Sequence, residues 1–348
     1  MRTGNSPEGE LLVGGQALIE GVMMRSPGAY GVAVRRPDGS IAFQRGKVAS
    51  LARRYPFLKL PILRGVAVLF QSLALGIRAL NFSAEQAMAE EAKPGEGQEA
   101  QPVAEKKDDK SNWAIAGSMA FGLVLGAVVF LLIPLWLTRL AEQHLFAGHL
   151  STVAFNLVDG ALRAAFFLAY IFAISRMKDI HRVFQYHGAE HKVVFAWEKA
   201  VPLTVENARA QSRLHPRCGT SFLLFVLLVS ILVFSFIPKT LPFLVMYGGR
   251  LLLVPVIAGL SYEVLRFTAK HQAAPLFSLL VAPGLALQRI TTQEPADDML
   301  EVAIAALEEA LREDGLLQDR ETPREAADPL AVPLADLPPS MPGAAARA

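Results

Sequence analysis

Two histidines and a carboxylate stand close together in the middle of the chain. They are His187, Glu190 and His191, in the order His-x-x-Glu-His. On a helix, His187 and His191 lie one turn apart on the same face, so both imidazoles can bind one metal ion. The same order occurs in inverzincin metalloproteases, where the histidines bind zinc and the glutamate is a general base. The pattern therefore predicts a Zn²⁺ site with Glu190 as the catalytic base, although another divalent metal could take its place.

Further ligands for such a metal are available later in the sequence. His215 and Cys218 form a second dense patch, and Glu263 follows where an apolar run ends. If both residues of that patch join the first two histidines, the site is closed and four-coordinate, as in structural zinc sites. If a single further residue binds, one position stays open and catalysis becomes feasible. Arg217 could then stabilise an oxyanion.

The composition favours a polytopic membrane protein. The 348 residues are 52% hydrophobic with a mean hydropathy of +0.34. This is too apolar for an ordinary soluble protein. The net charge of +2 does not suggest a nucleic-acid partner, and a single cysteine excludes an intrachain disulfide. Residues 1–10 are polar and do not resemble a secretory signal peptide.

Uncharged or nearly uncharged runs predict about four transmembrane helices within residues 113–268. The predicted spans are residues 113–138, 155–175, 219–237 and 243–262. Asp159 and Arg163 are spaced to pair along one helix, and Arg250 needs a partner, for which Asp159 is a candidate.

The remaining segments are predicted to be soluble or interfacial. Residues 11–55 are expected to form a small β-rich cytoplasmic unit, with strands at 11–13, 30–35 and 40–43 and a turn at 37–39. In the glycine-rich run within that unit, Glu20 and Arg25 are either functional or, more simply, part of tight packing. The other segments are an interfacial or re-entrant helix at 56–84, a disordered linker at 85–112, an interfacial segment with an amphipathic helix at 273–315 and a disordered tail at 319–348. The predicted fold class is thus mainly α, a polytopic membrane helical bundle with this small N-terminal unit.

The distribution of positive charge predicts the orientation. The loop at residues 176–218 carries Arg176, Lys178, Arg182, Lys192, Lys199, Arg209, Arg213 and Arg217. By the positive-inside rule this loop is cytoplasmic. Four spans then place both termini in the cytoplasm and gather the candidate metal ligands at the cytoplasmic surface of the inner membrane.

Three stretches of the sequence resemble the YqhQ-like family of bacterial multi-pass membrane proteins. They are residues 14–17 with 20–25 (Gly-Gly-Gln-Ala and Glu-Gly-Val-Met-Met-Arg), residues 186–192, and residues 215–222. The likeness extends from about Val13 to about Leu311, without the linker. It implies a domain of unknown function, described as a predicted metal-dependent enzyme. The family's most distinctive positions correspond to His187, Glu190, His191, His215 and Cys218.

Three functions compete. The first is a cytoplasm-facing, metal-dependent hydrolase or peptidase in the membrane. The second is a non-enzymatic scaffold or assembly protein with a structural metal site. A transporter that uses Asp159, Arg163 and Arg250 is a third, weakened by the absence of a visible inverted repeat. A simpler interpretation of the histidine pair is a polar juxtamembrane helix in which Glu190 pairs with a nearby Lys or Arg. The lipid bilayer is the one partner that the sequence predicts.

Overall fold

A computed structural model describes residues 13–48, 55–88, 109–270 and 275–317. The strands are β1 (Gly14–Leu18), β2 (Gly21–Arg25), β3 (Ala29–Arg35) and β4 (Ile41–Lys47). A 3-10 turn (Pro56–Lys59) precedes the helices, and a π-helical turn (Val128–Leu132) joins α2 to α3. The helices are α1 (Leu63–Met88), α2 (Asp109–Ala127), α3 (Ile133–His144), α4 (Thr152–Ile174), α5 (Lys178–Glu198), α6 (Val205–Arg209), α7 (Gly219–Phe234), α8 (Phe243–Lys270), α9 (Pro275–Thr291) and α10 (Asp297–Glu313). The centre of the predicted linker, residues 11–12 and the predicted tail at 319–348 lie outside the described residues.

The strands form one antiparallel sheet in the order β1-β2-β3-β4, so the predicted β-rich unit is confirmed. The predicted turn at 37–39 is also present, since Gly39 has a φ of +86° and its N–H donates to the carbonyl of Arg36. The β1–β2 hairpin differs from the sequence prediction, which had no strand within residues 14–25. Its two-residue loop consists of Ile19 and Glu20, with a φ of +53° at Glu20. The loop lacks the glycine by which such loops are usually recognised in a sequence.

Helices cover both faces of the sheet because alternate side chains point to opposite faces. On one face, Val22, Met24 and Ala33 pack against α5 and α10. On the other face, Met23, Val32 and Val34 pack with Leu18 and with Leu75, Ala79 and Phe82 of α1. The predicted amphipathic helix is α10, and its apolar face is buried against the sheet as expected. The sheet thereby fixes the position of α5, which carries the histidine pair.

Four helical segments are long and apolar enough to cross a membrane. They are Leu63–Ala87, Ala120–His144, Thr152–Ile174 and Phe243–Thr268. Three of them overlap predicted spans. The predicted span at 219–237 corresponds to α7, which ends at Phe234 and contains a shorter apolar helix, Phe222–Phe234. At about 1.5 Å per residue such a helix falls short of a bilayer core of about 30 Å.

The fourth apolar segment lies in α1, where the sequence predicted an interfacial helix. The C-terminal half of α1 packs on the sheet, and Ser83 donates a hydrogen bond to the carbonyl of Ile19 at 2.7 Å. Near its start, Gly65 lies so close to Tyr262 of α8 that a Cβ there would be 2.8 Å from the tyrosine Cβ. Protein therefore covers both ends of α1, while Phe70 and Leu73 between them are 65% and 58% exposed.

Three ionised side chains are buried between the apolar helices. Asp159 Oδ2 lies 2.9 Å from Arg163 Nη2 and 2.8 Å from Arg250 Nη1, so both pairings expected from the sequence are confirmed. The three residues are at most 3% exposed. Both guanidinium groups lie over the ring of Phe234, and Arg250 also donates to Asn156. Two positive charges thus share one carboxylate in the interior of the bundle.

The outer surface of the same helices is apolar. Leu123 is 78% exposed and Leu252, two residues from buried Arg250, is 80% exposed. Charge inside and large apolar side chains outside is the arrangement that a lipid environment favours.

The loops at the ends of α3, α4, α7 and α8 gather at one end of this bundle. Leu135, Phe155 and Met246 form a buried cluster there, and Lys239 forms an ion pair with Glu142. The helix α7 runs from Cys218 toward this end. The sheet and the histidine pair therefore lie at the opposite end of α7.

Candidate metal centre

The helix α5 presents the predicted motif as expected. Tyr186, Ala189 and Val193 face the core that α5 shares with the sheet and α10. Gly188 has no room for a side chain, because a Cβ there would collide with the carbonyl oxygen of Gln293. This close contact holds the segment after α9 against α5, next to the histidines.

The second patch lies at the start of α7. Cys218 is the N-cap residue of this helix and is buried, and its sulfur accepts a hydrogen bond from the backbone N–H of Thr220 at 3.4 Å. The positive end of the helix dipole favours a negatively charged group at this position. A thiolate, the form in which cysteine binds metals, is therefore well placed.

Three ligand atoms converge between α5 and α7. Nε2 of His187 lies 3.2 Å from Sγ of Cys218, and the ring centroids of His187 and His191 are 4.5 Å apart. One ligand atom from each of His187, His191 and Cys218 lies within 4.8 Å of the others. This is the one such group of metal-binding side chains found among the described residues.

Backbone carbonyls fix the tautomers of both histidines. Nδ1 of His187 lies 2.8 Å from the carbonyl oxygen of Thr291, and Nδ1 of His191 lies 2.5 Å from that of Arg213. A carbonyl can only accept, so each Nδ1 carries the proton and each neutral ring keeps its lone pair on Nε2. Nε2 of His191 is buried and has no hydrogen-bond partner among the described residues. Both lone pairs are thus directed where a metal would bind, with the outer hydrogen bonds typical of metal-bound histidines.

His215 lies beside this group but uses its ring nitrogens elsewhere. Nδ1 accepts a hydrogen bond from the backbone N–H of Arg217 at 3.2 Å, and Nε2 lies 3.2 Å from Glu198 Oε2. Its backbone is held by Gln288, whose side chain makes two hydrogen bonds of 2.8 Å to it. The converging group therefore contains three of the four residues that a closed site would need.

The carboxylate of Glu198 responds to these neighbours. Its burial opposes ionisation, but the hydrogen bond and attraction from His215, together with the positive charge and hydrogen bond of Arg217, outweigh that effect. The pKa of Glu198 is therefore held below its ordinary value. The guanidinium of Arg217, which the sequence suggests as the group that stabilises an oxyanion, pairs with the same carboxylate.

Glu190 is next to the ligand group and outside it. Its Oε2 lies 4.0 Å from Nε2 of His187, and the residue is 7% exposed. Within the part of the chain that the structure describes, no Lys or Arg forms an ion pair with Glu190. Glu263 does not join the group, since its carboxylate pairs with Arg64 at the start of α1, with Nε to Oε1 at 2.6 Å.

Glu20 and Arg25, the two charged residues of the glycine-rich run, connect elements of the fold. The carboxylate of Glu20 pairs with Arg182 of α5 and accepts a hydrogen bond from Tyr186 at 3.3 Å. Arg25 donates to Ser72 of α1 at 3.4 Å. These contacts agree with the packing interpretation of both residues.

A cavity of about 390 Å³ opens onto the ligand group. Its walls include His187, Glu190, His191 and Cys218, and also β1 from Gly14 to Ala17. The glycines of β1 allow the close approach of its backbone, whereas the carbonyls of Thr291 and Arg213 could not be foreseen, because backbone groups have no residue signature.

Comparison with known proteins places the chain in a family. A sequence profile described as "Protein of unknown function (DUF1385)" matches residues 60–313. The chain belongs to this family. It is also 38% identical over 313 residues to "Uncharacterized protein YqhQ" of Bacillus subtilis (strain 168), covering 89% of this chain and 95% of that relative. The resemblance noted in the sequence is thus confirmed as family membership. No solved structure matches.

Proposed function

We propose that this protein is a membrane-embedded, metal-dependent hydrolase whose site faces the cytoplasm. The convergence of two histidine lone pairs and a helix-capping cysteine carries this proposal, because Nε2 of His191 is buried and has no hydrogen-bond partner among the described residues. An unpaired buried polar atom costs about 1–3 kcal/mol, and a metal bond would remove that cost. The apolar helix surfaces and the cationic loop at residues 176–218 support the membrane location and the orientation, with both termini in the cytoplasm.

The donor set fits zinc. One sulfur and two imidazole nitrogens are typical zinc ligands, and three protein ligands leave one coordination position open. His187, His191 and Cys218 would hold the ion, while the engagement of His215 with Glu198 and Arg217 keeps it from closing the site. A bound zinc ion would supply a Lewis acid that polarises a carbonyl group and lowers the pKa of water.

The residues around the open position can perform a hydrolysis. Glu190 is close to the ligands and free of cationic partners among the described residues, so it can accept a proton from water as the water oxygen adds to a carbonyl carbon. It can then return that proton to the leaving group when the bond to that group breaks. The reaction consumes one water and yields an acid and an amine or alcohol. Arg217 is assigned to the oxyanion, a role for which its guanidinium would have to turn from Glu198.

Metal content and coordination test this proposal together. The detergent-purified protein is expected to contain about one zinc per chain, and His191→Ala is expected to lose it. His215→Ala is the matched control and should keep its zinc, because neither of its ring nitrogens is directed at the ligand group. Glu190→Gln should also keep the metal.

The open position is tested with cobalt in place of zinc. Acetohydroxamate should change the visible d–d spectrum of the cobalt protein, since it can bind at an open position. If acetohydroxamate leaves the cobalt spectrum unchanged and His215→Ala loses its zinc, the site is instead closed and structural, which indicates a scaffold role. A folded protein that takes up no metal would refute the metal site itself.

A further inference from the structure

The cavity beside the ligand group has as one wall a strand edge that no other described strand pairs with. The sheet order makes β1 an edge strand, hydrogen-bonded to β2 on one side only. The two-residue loop makes Leu18 and Gly21 a hydrogen-bonded pair, and such pairs alternate along an antiparallel ladder. Gly15 and Ala17 therefore direct their N–H and C=O groups away from β2. Among the described residues, nothing outside the strand makes a hydrogen bond to these groups.

This edge comes very close to the proposed catalytic base. A Cβ built on Gly15 would lie 2.5 Å from the carbonyl oxygen of Met23, 2.8 Å from the sulfur of Met24 and 2.9 Å from Cγ of Glu190. No side chain fits there, so a glycine brings the backbone of β1 against the carboxylate side chain. The hydrogen-bonding groups of the edge and the proposed chemistry thus share one cavity.

The two edges of the sheet differ in their protection. Natural edge strands usually carry charges or proline that discourage a further strand from adding. The other edge, β4, follows this rule with Arg45 and Lys47, and Arg45 pairs with Glu309 of α10. The sequence of β1, Gly-Gly-Gln-Ala-Leu, has neither charge nor proline. An unprotected edge at a cavity is the feature used when an extended peptide adds to a sheet.

We infer that the substrate is an extended stretch of polypeptide that pairs with β1 as an added strand. This inference rests on the proposed hydrolase function and makes it a peptidase. Neighbouring strands lie about 4.8 Å apart, so the added strand would run along the wall of the cavity next to Glu190. Water would add to a peptide carbonyl carbon, Glu190 would carry the proton to the departing nitrogen, and the C–N bond would break to give a carboxylate and an amine. Main-chain pairing would supply affinity with little demand on the side chains of the substrate.

The test measures binding to the cobalt-substituted, full-length protein in detergent. The reference probe is acetohydroxamate. Two series of probes carry one to four alanine residues: the first has a hydroxamate at the C-terminus, and the second has a hydroxamate-bearing acyl group at the N-terminus. The cobalt spectrum reports the Kd of each. In one of the two series the affinity is expected to rise about tenfold or more over acetohydroxamate, because each added pair contributes main-chain hydrogen bonds. N-methylation of alternate amides should remove the gain, and methylation of the amides between them should not.

The variant Ala17→Pro tests the protein side of the contact. It removes an outward N–H at a strand edge, where proline is tolerated. It should lower the affinity for the longest peptide to that of acetohydroxamate, while acetohydroxamate itself binds as before. Because the methylated peptides leave the protein unchanged, they test the pairing even if this variant does not fold.

The outcomes separate the two proposals. If acetohydroxamate binds and neither peptide series gains affinity with length, pairing on β1 is refuted while the metal hydrolase stands. If length helps but all methylated positions behave alike, the peptide is held by other contacts and the inference is equally wrong. If the protein binds neither cobalt nor acetohydroxamate, the proposed function has failed.

Discussion

Replacing Asp159 with Asn should destabilise this protein far more than replacing its partner Arg250 with Gln. In the native cluster two guanidinium groups share one carboxylate, at 2.9 and 2.8 Å. The variant Asp159→Asn leaves two positive charges buried together and unneutralised. Removing one partner of a buried ion pair costs about 3–5 kcal/mol.

The variant Arg250→Gln has a smaller expected cost. It leaves Asp159 paired with Arg163, which is a neutral pair within one helix. The loss is then mainly that of the hydrogen bond from Arg250 to Asn156 and the contact with Phe234, about 1–2 kcal/mol. The difference between the two variants is about 1–4 kcal/mol, which is roughly 5-fold to 900-fold in the folding equilibrium.

Unfolding by SDS in mixed micelles measures both variants, followed by far-ultraviolet circular dichroism. The double variant completes a double-mutant cycle and should be more stable than Asp159→Asn alone, since it buries one unpaired charge instead of two. If both single variants lose the same free energy of unfolding, or if Arg250→Gln loses more, the net charge of the cluster does not determine its stability and the reasoning is refuted.

Two further predictions concern the surroundings of the metal site. Gly188→Ala should lower zinc content and thermal stability, because its methyl group would push away the carbonyl of Gln293. Gly249→Ala, with open space around it, is the control and should leave zinc content unchanged. Metal analysis and thermal unfolding of both variants check this. The lowered pKa of Glu198 predicts stability that is present above the ordinary carboxyl pKa of about 4.3 and is lost as the pH falls through the lower folded-state value. Glu198→Gln should therefore lose less stability on acidification than the native protein. Unfolding midpoints measured between pH 6 and the acid limit of folding test this. If the midpoints of both proteins fall in parallel with pH, Glu198 does not contribute this stability.

Patterns carried by side chains were readable from the sequence. The four-residue spacing of the two histidines requires a helix to bring them together, and α5 is that helix. The face of α10 and the ion pairs of Asp159 likewise follow from spacing and from the cost of buried charge. In these cases residue types and spacing indicated a contact that the structure contains.

Backbone contributions could not be read in the same way. The β1–β2 hairpin was missed because Gly-Gly-Gln-Ala lacks the β-branched residues and alternation that mark a strand, and its loop has no Asn-Gly or Asp-Gly signal. The carbonyls that orient the histidines come from Thr291 and Arg213, whose side chains play no part in those bonds. Glu263 was a candidate ligand because of its position in the chain, but Arg64 lies nearer in space.

The buried ion cluster has a consequence for how the chain is synthesised. The helix α4 contains Asp159 and Arg163 and leaves the ribosome before α8, which contains Arg250. If α4 enters a bilayer as proposed, its own i,i+4 pair is already neutral. When α8 then inserts, its arginine would cost about 2.5–3.5 kcal/mol at the membrane centre unless a carboxylate is already present to pair with it. The carboxylate on α4 is that partner, so the order of translation delivers the acceptor before the charge that needs it.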